Sequence, residues 1–363
     1  MEREVLIVGA GPAGIATAAC LNLHSIPNVV LEKEDCLGSL WKKKSYDCLN
    51  LHLGREFCQL PHLPFPKHAP NFISKTEFIR YLDEYAEKFK VILKYQTCVK
   101  SASYDKNSMT WQVIACNTLT NKNEKYSSRF LVVATGENSE GYIPQIPGLH
   151  KFKGKTIHSM SYKSGTKYKE KSVLVVGSGN SGMEIAYDLA KHGANASIVI
   201  RNKLHIMTRE QMFLGMKLAQ YFPLKLVDRL IVMLAKLTFG DLSKYGILRP
   251  RDGPLKLKAE TGRSSVIDVY RAISSIQESK VLFINGMSES FDAIIFATGY
   301  RSTANQWLKD GKESLNEEGF PKKGFPNQWK GSNGLYFAGF ARKGLAGISM
   351  DAVKIANDIK KAY

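Results

Sequence analysis

Short apolar runs closed by small residues set the rhythm of this chain. Residues 5–8 (Val5, Leu6, Ile7, Val8) read as a strand buried on both faces, 15–23 as a helix and 28–31 as the next strand. Residues 76–89 place Phe78, Leu82, Tyr85 and Phe89 on one helical face, with Thr76 as the cap. Residues 91–95, 100–104, 110–116 and 124–128 alternate as short antiparallel strands, with a polar turn at 117–123. Residues 130–133 form another buried strand, and its close, Ala134-Thr135-Gly136, leaves room for a ligand or a second backbone. Residues 42–75, with prolines at 61, 64, 66 and 70, look irregular, as in a segment that wraps a ligand or covers a core edge.

After a linker-like stretch at 143–148 the pattern starts again. Residues 172–176 predict a strand, 183–192 a helix and 196–200 a strand. The run 291–296 ends in Ala297-Thr298-Gly299, repeating the close of 130–136, so the architecture is internally paired. Residues 203–260 predict an insertion with helices at 209–221 and 225–238, split by Pro223. Leu214, Leu218, Phe222, Leu226, Leu230, Met233 and Leu237 are expected to form one apolar wall, core for most and pocket for a few. Asp228, Arg229 and Lys236 interrupt that wall at helical spacing. The segment is therefore an amphipathic helix, read first as core or pocket wall and second as an interfacial membrane helix. A strand at 334–339 and a helix at 348–363 close the chain.

Both halves carry a glycine turn between strand and helix. In Gly9-Ala10-Gly11-Pro12-Ala13-Gly14 the first glycine permits the turn, the second lets a pyrophosphate approach, and the third lets the helix pack on the strand. Glu32, 23 residues past Gly9, is spaced to accept ribose hydroxyls. In Gly177-Ser178-Gly179-Asn180-Ser181-Gly182 the equivalent place, 24 residues past Gly177, holds Arg201, a residue that suits a 2′-phosphate. The first turn therefore suits FAD and the second NADPH. Leu40 and Trp41 in the next glycine turn, Thr135, and Gly339 before the last helix complete the expected cofactor-binding set. The fold class is α/β, with two Rossmann-like dinucleotide-binding domains. The FAD domain (1–150 and 300–363) is interrupted by an NADPH domain (151–299) with the insertion at about 203–260.

Composition narrows the picture. The 363 residues allow about two domains, and 44% hydrophobic with 23% charged residues is ordinary for a globular protein. The net charge of +18 is scattered, with no longer run than Lys42-Lys43-Lys44 and no nucleic-acid or zinc motif; it suits polyanionic cofactors and acidic substrates. The six cysteines form no C-x-x-C pair, and Met1 runs almost directly into a strand, so reduced thiols, no cleaved leader and a cytoplasmic location are expected, with peripheral endoplasmic-reticulum association as the alternative. No apolar run suits a bilayer span, and no metal site is expected. Two nucleotide sites suggest hydride transfer from NADPH to flavin. A disulfide reductase would need a redox-active cysteine pair, which leaves oxygen or an external acceptor.

Phe152, Gly154, His158 and Tyr162 match F-x-G-x-x-x-H-x-x-x-Y, and the chain resembles the flavin-containing monooxygenases that carry this fingerprint. The stretches around Glu32, Ser39-Leu40-Trp41, Leu51-His52-Leu53, Glu56-Phe57-Cys58, Gly177 to Glu184, Arg249-Pro250 and Phe291 to Tyr300 resemble the plant YUCCA-type members over nearly the whole chain. The resemblance implies oxidative decarboxylation of indole-3-pyruvate to the auxin indole-3-acetate, with NADPH and O2 consumed and oxygen added at the flavin C4a carbon. The flavin carries that chemistry, so no side chain is assigned a catalytic role. Alternatives are an NADPH oxidase, a sulfur- or nitrogen-oxygenating monooxygenase, and a noncatalytic nucleotide-binding relative. Two departures stand out: His52 falls where broader members carry an asparagine near the flavin, and the chain looks shortened between Asp268 and Phe291, as if a strand and turn were missing within 272–287.

Overall fold

The computed structural model describes residues 2–363 apart from 202, 246, 248, 251–252, 255–268 and 271. The chain divides into two units. The first comprises 1–43, 54–140 and 300–363, and the second 44–53 and 141–299. Residues 44–53 and 141–150, read from sequence as part of the first domain, belong to the second unit.

In the first unit Glu2–Val8 pairs in parallel with Asn28–Leu31 on one side and with Asn123–Val133 on the other. Val5, Leu6 and Ile7 are fully buried, as a continuous apolar run in a sheet covered on both faces requires. Each such side chain contributes roughly 1.5–3 kcal/mol. Leu335–Phe337 joins in parallel beyond residues 131–133. The helices Pro12–Leu23 and Gly344–Ala362 lie against one another in this unit.

Three expectations are corrected here. Residues 124–128 and 130–133 form one strand, Asn123–Val133, long enough to pair antiparallel with Thr110–Asn117 and then parallel with its other neighbours. Leu93–Lys94 is not antiparallel; it pairs in parallel with Val30 and Leu31 at the sheet edge. The helix Lys75–Lys88 is capped by Ser74, not Thr76. The Ser74 hydroxyl accepts the Glu77 N–H and the Glu77 carboxylate accepts the Ser74 N–H, a capping box that satisfies two donors at once. Tyr81 and Ala86 join Phe78, Leu82 and Tyr85 on its buried face.

In the second unit all five strands of the main sheet run parallel, in the order Val269–Tyr270, Asn195–Val199, Ser172–Val176, Ala293–Phe296, Lys155–His158. Beside them Ile273–Gln277, Lys280–Phe283 and Ser288–Ser290 form an antiparallel meander. Residues 272–287 thus hold two strands and the turn between them; Asp268 lies outside the described residues. The stretch 143–148 is no free linker, because the Ile276 N–H donates to Pro147 O at 2.9 Å and Ile146 and Leu149 pack against Ile276, Val281 and Phe283.

The insertion holds helices Arg209–Leu218 and Leu224–Phe239. Its inner face is Met207, Met212, Val227, Ile231 and Ala235. The expected apolar wall is not buried: Leu214, Phe222, Leu226, Leu230, Met233 and Leu237 are exposed. The longer helix is rotated so that Asp228 goes inward with Val227 and Ile231, against Gly253, where a Cβ would fall within 2.4 Å of the carboxyl group.

Candidate active site

At the first glycine turn Gly9 has φ +108°, its N–H donates to Leu31 O at 2.8 Å, and a Cβ on it would stand 2.6 Å from Ala134 O. A Cβ on Gly14 would stand 1.9 Å from Gly9 O, so both positions exclude any side chain. Gly11 is different: nothing lies within 4 Å of where its Cβ would be. Helix Pro12–Leu23 opens at Gly11 with no side-chain cap, leaving first-turn N–H groups and the positive dipole end to face an anion.

Around this turn the predicted residues converge. Glu32 is buried, and its two carboxylate oxygens accept the N–H groups of Ala10 at 2.7 Å and Glu34 at 3.0 Å. That fixes the carboxylate beside the turn while leaving lone pairs for hydroxyl donors. The Gly38 N–H donates to Ala10 O at 2.9 Å and the Trp41 N–H to Gly38 O at 2.8 Å, which ties half-buried Leu40 and Trp41 to the same place. The Trp41 ring meets Phe78 edge-on at 4.6 Å. Thr135, next to the carbonyl that Gly9 approaches, has a buried hydroxyl with no hydrogen-bond partner among the described residues. Gly339, at φ +83°, would place a Cβ 2.9 Å from the Cβ of Ala13.

Sequence reasoning missed Asp351. It is buried under Gly339, whose N–H it accepts at 3.0 Å, and it also accepts Gln328 Nε2 at 2.7 Å. Burial pushes its carboxyl up to about 6, against the opposing pull of N–H groups from Gly339 and Phe340. The available signal was an acid among Ala352, Ile355, Ala356 and Ile359 on the apolar face of the last helix.

The second unit repeats the glycine geometry. Gly177 has φ +114° and donates to Val199 O at 3.2 Å; a Cβ would stand 2.4 Å from Ala297 O. Gly182 meets Gly177 O as Gly14 meets Gly9 O, Gly179 is open, and helix Asn180–Lys191 begins there without a side-chain cap. Ser178, Asn180 and Ser181 lie in this turn and first helical turn. Arg201 follows the end of strand Asn195–Val199, exposed and with no ion pair among the described residues.

The fingerprint residues act as scaffold within this unit. His158 is buried; its Nδ1 accepts the Met160 N–H at 3.1 Å, so Nε2 carries the proton and donates to Gly299 O at 3.0 Å. Burial lowers its pKa, the Gly299 bond opposing, which favours the neutral ring. Gly141 must be glycine beside it, since a Cβ would fall 2.3 Å from Nδ1. The Tyr162 hydroxyl donates to Asp188 at 2.6 Å, and the same carboxylate accepts the Gly165 N–H at 2.7 Å.

A polar cluster lies one turn along from the second glycine turn. Glu184 accepts the Tyr46 hydroxyl at 2.6 Å, pairs with Arg209, and lies 3.2 Å from His52 Nε2. Burial works against its ionisation, but His52, Tyr46 and Arg209 outweigh it and hold its pKa below the usual value. His52 is therefore placed in the second unit, as part of the contact that docks residues 44–53 there. Both terminal guanidinium nitrogens of Arg249 are buried with no hydrogen-bond partner among the described residues. All six cysteines are free thiols.

Comparison with known proteins identifies the family. The model of the family described as "Flavin-binding monooxygenase-like" matches residues 2–245. The chain is 50% identical to the probable indole-3-pyruvate monooxygenase YUCCA10 of Arabidopsis thaliana, over 99% of this chain and 98% of that one. It is 43% identical to the indole-3-pyruvate monooxygenase YUCCA1 of Oryza sativa subsp. japonica, over 98% and 90%. Among solved structures, the flavin-containing monooxygenase of Stenotrophomonas maltophilia superposes with TM-score 0.75 at 18% identity, over 99% of both chains. OTEMO in complex with FAD and NADP superposes with TM-score 0.75 at 17% identity, over 99% of this chain and 85% of that one. With its α/β fold of two Rossmann-type units, the chain belongs to the flavin-binding monooxygenase-like family and stands among relatives of the YUCCA type.

Proposed function

We propose that this protein is an NADPH- and O2-dependent flavin monooxygenase that converts indole-3-pyruvate to indole-3-acetate, releasing CO2, water and NADP+. The observation that carries the reading is the pair of matching glycine turns with opposite partners, Glu32 at one and Arg201 at the other, in a chain with no disulfide. The relatives named indole-3-pyruvate monooxygenase supply the substrate. A cytoplasmic location goes with this reading; among the described residues no helix is long and apolar enough to cross a membrane.

The residues fit the two cofactors. FAD would lie on Gly9 to Gly14, its pyrophosphate at the open Gly11, its ribose on Glu32, with Leu40, Trp41, Thr135 and Gly339 around it. The Thr135 hydroxyl, without a partner among the described residues, gains an acceptor or donor there. NADPH would lie on Gly177 to Gly182 with its 2′-phosphate on Arg201. When bound, the two supply hydride transfer and oxygen activation. The chain's own work is to hold the dinucleotides through backbone donors, shield the reacting atoms from water, and receive a carboxylate. Arg249 is the cation we assign to that carboxylate, because its two terminal guanidinium nitrogens are buried without a hydrogen-bond partner among the described residues, an arrangement that a bidentate anion matches.

The test is product analysis. Purified, flavin-loaded protein given NADPH, O2 and indole-3-pyruvate should yield close to one indole-3-acetate per NADPH. NADPH consumption that yields hydrogen peroxide with or without the keto acid would make it an oxidase. No flavin reduction by NADPH would make it a noncatalytic nucleotide-binding relative.

A further inference from the structure

The helical insertion turns its most apolar stripe outward. On helix Leu224–Phe239, Leu226, Leu230, Met233 and Leu237 recur at i, i+4, i+7 and i+11, one continuous face, with Leu226 57% and Leu237 77% exposed. At the turn before it, Tyr221 is 80% exposed and Phe222 51%. Single exposed leucines mean little, but a stripe of this length on one helix is a contact surface. The opposite face already has its partner in the small core of Met207, Met212, Val227, Ile231 and Ala235.

Charge identifies what the stripe contacts. Arg229 and Lys236 flank it, and Lys225 and Lys217 stand near the turn, all exposed. The one acid of the longer helix, Asp228, is buried on the inner side. The outer face thus alternates leucine and methionine with cations and carries no anion. Protein interfaces deplete lysine from their apolar centre. A lipid headgroup layer favours this mixture, since lysine and arginine stems lie along the apolar surface while their charges reach anionic headgroups. An aromatic pair at the tip suits headgroup depth. The chain's +18 charge adds long-range attraction to an anionic surface.

We propose that the insertion formed by Arg209–Leu218 and Leu224–Phe239 docks this protein on anionic lipid surfaces. It lies in the interface with the Leu226–Leu237 stripe down and the Tyr221–Phe222 turn inserted.

The holoenzyme is floated with phosphatidylcholine vesicles and with vesicles containing about one-third phosphatidylserine. It should rise with the anionic vesicles, remain behind with the neutral ones, and be released by salt. Two variants separate the contributions: Leu226→Ser/Leu237→Ser removes the apolar stripe, and Lys225→Glu/Arg229→Glu/Lys236→Glu reverses the charge with the apolar residues intact. Each should lower vesicle binding by about tenfold or more while keeping flavin and NADPH oxidation. If the serine variant loses its flavin, the charge-reversed variant decides alone. Failure of the wild type to float with anionic vesicles, or equal flotation of wild type and charge-reversed protein, overturns the proposal. So does light scattering that shows a dimer converted to monomer by Leu226→Ser/Leu237→Ser, which would assign the stripe to a second copy of this chain.

Discussion

The Asp351 carboxylate accepts the backbone N–H of Gly339 at 3.0 Å, and so holds the left-handed turn that abuts Ala13 at the first glycine turn. Its pKa near 6 exceeds the ordinary 3.8, so the folded state binds the proton more tightly than the unfolded chain does. Stability therefore falls as pH rises from about 4 to about 6 and is level above, a loss on the order of 3 kcal/mol. Asp351→Asn removes the charge and keeps an acceptor for Gly339, while its amide can donate to Gln328 Oε1, which has no partner among the described residues. Thermal melts of the variant should lose that slope and rise relative to wild type at pH 7. Asp351→Leu leaves the Gly339 N–H unpaired and should bind flavin more weakly.

The glycines of the first turn separate folding from binding. Gly11→Ala meets no atom within 4 Å, so its circular dichroism should match wild type while the flavin is lost, because the methyl group occupies the place given to pyrophosphate. Gly14→Ala drives a Cβ to 1.9 Å from Gly9 O and must push the helix off the strand. A lower melting temperature, by an amount corresponding to several kcal/mol, is the expected outcome. Equal behaviour of the two variants would remove the pyrophosphate role from Gly11.

The same contrasts separate what the amino-acid pattern alone discloses from what packing decides. The turns at Gly9 and Gly177 could be read because each glycine answers to a local requirement, written in a strand–turn–helix pattern a few residues long. The burial of Asp351, the docking of Tyr46 and His52 on Glu184, and the burial of the Arg249 terminal nitrogens depend on residues far apart in sequence, and periodicity carries no such information. The insertion misled for a different reason. Leucines on both sides of helix Leu224–Phe239 give two possible apolar faces, and only the packing against Met207 and Met212 selects the one with Val227 and Ile231.

Arg201 has no ion pair among the described residues to maintain, so its replacement tests cofactor choice with little structural cost. Arg201→Ala should raise the Kd for NADPH roughly 10- to 100-fold, the worth of charged hydrogen bonds to a phosphate, and that for NADH less than about twofold. Titration of the flavin-loaded protein with both nucleotides measures this. Equal losses would show that the arginine does not meet the 2′-phosphate.

For the substrate, Arg249→Met keeps the apolar stem and deletes the cation. With the carboxylate role assigned above, KM for indole-3-pyruvate should rise by at least about tenfold, and the rate of flavin reduction by NADPH, measured before substrate is added, should stay within about twofold of wild type. A parallel fall in both would place Arg249 in the scaffold.

Glu184 supplies the last test, because its pairing is the reverse of that at Asp351. Its pKa is held down despite burial, so the stabilisation it gives is present above the ordinary 4.5 and is lost as pH falls through the lower folded value. Glu184→Gln keeps shape but removes the charge that faces Arg209 and His52. The expected cost is about 1–3 kcal/mol at pH 7, discounted because Arg209 is partly exposed. The cost should shrink towards acid, where the wild-type carboxyl also becomes neutral. Residues 44–53 are held by the same carboxylate through Tyr46, so limited trypsin digestion should cut after Lys44 faster in Glu184→Gln and in Tyr46→Phe than in wild type. Unchanged cleavage in both variants would mean that other contacts, such as the Asp47 N–H to Lys163 O bond at 2.9 Å, hold the segment on their own.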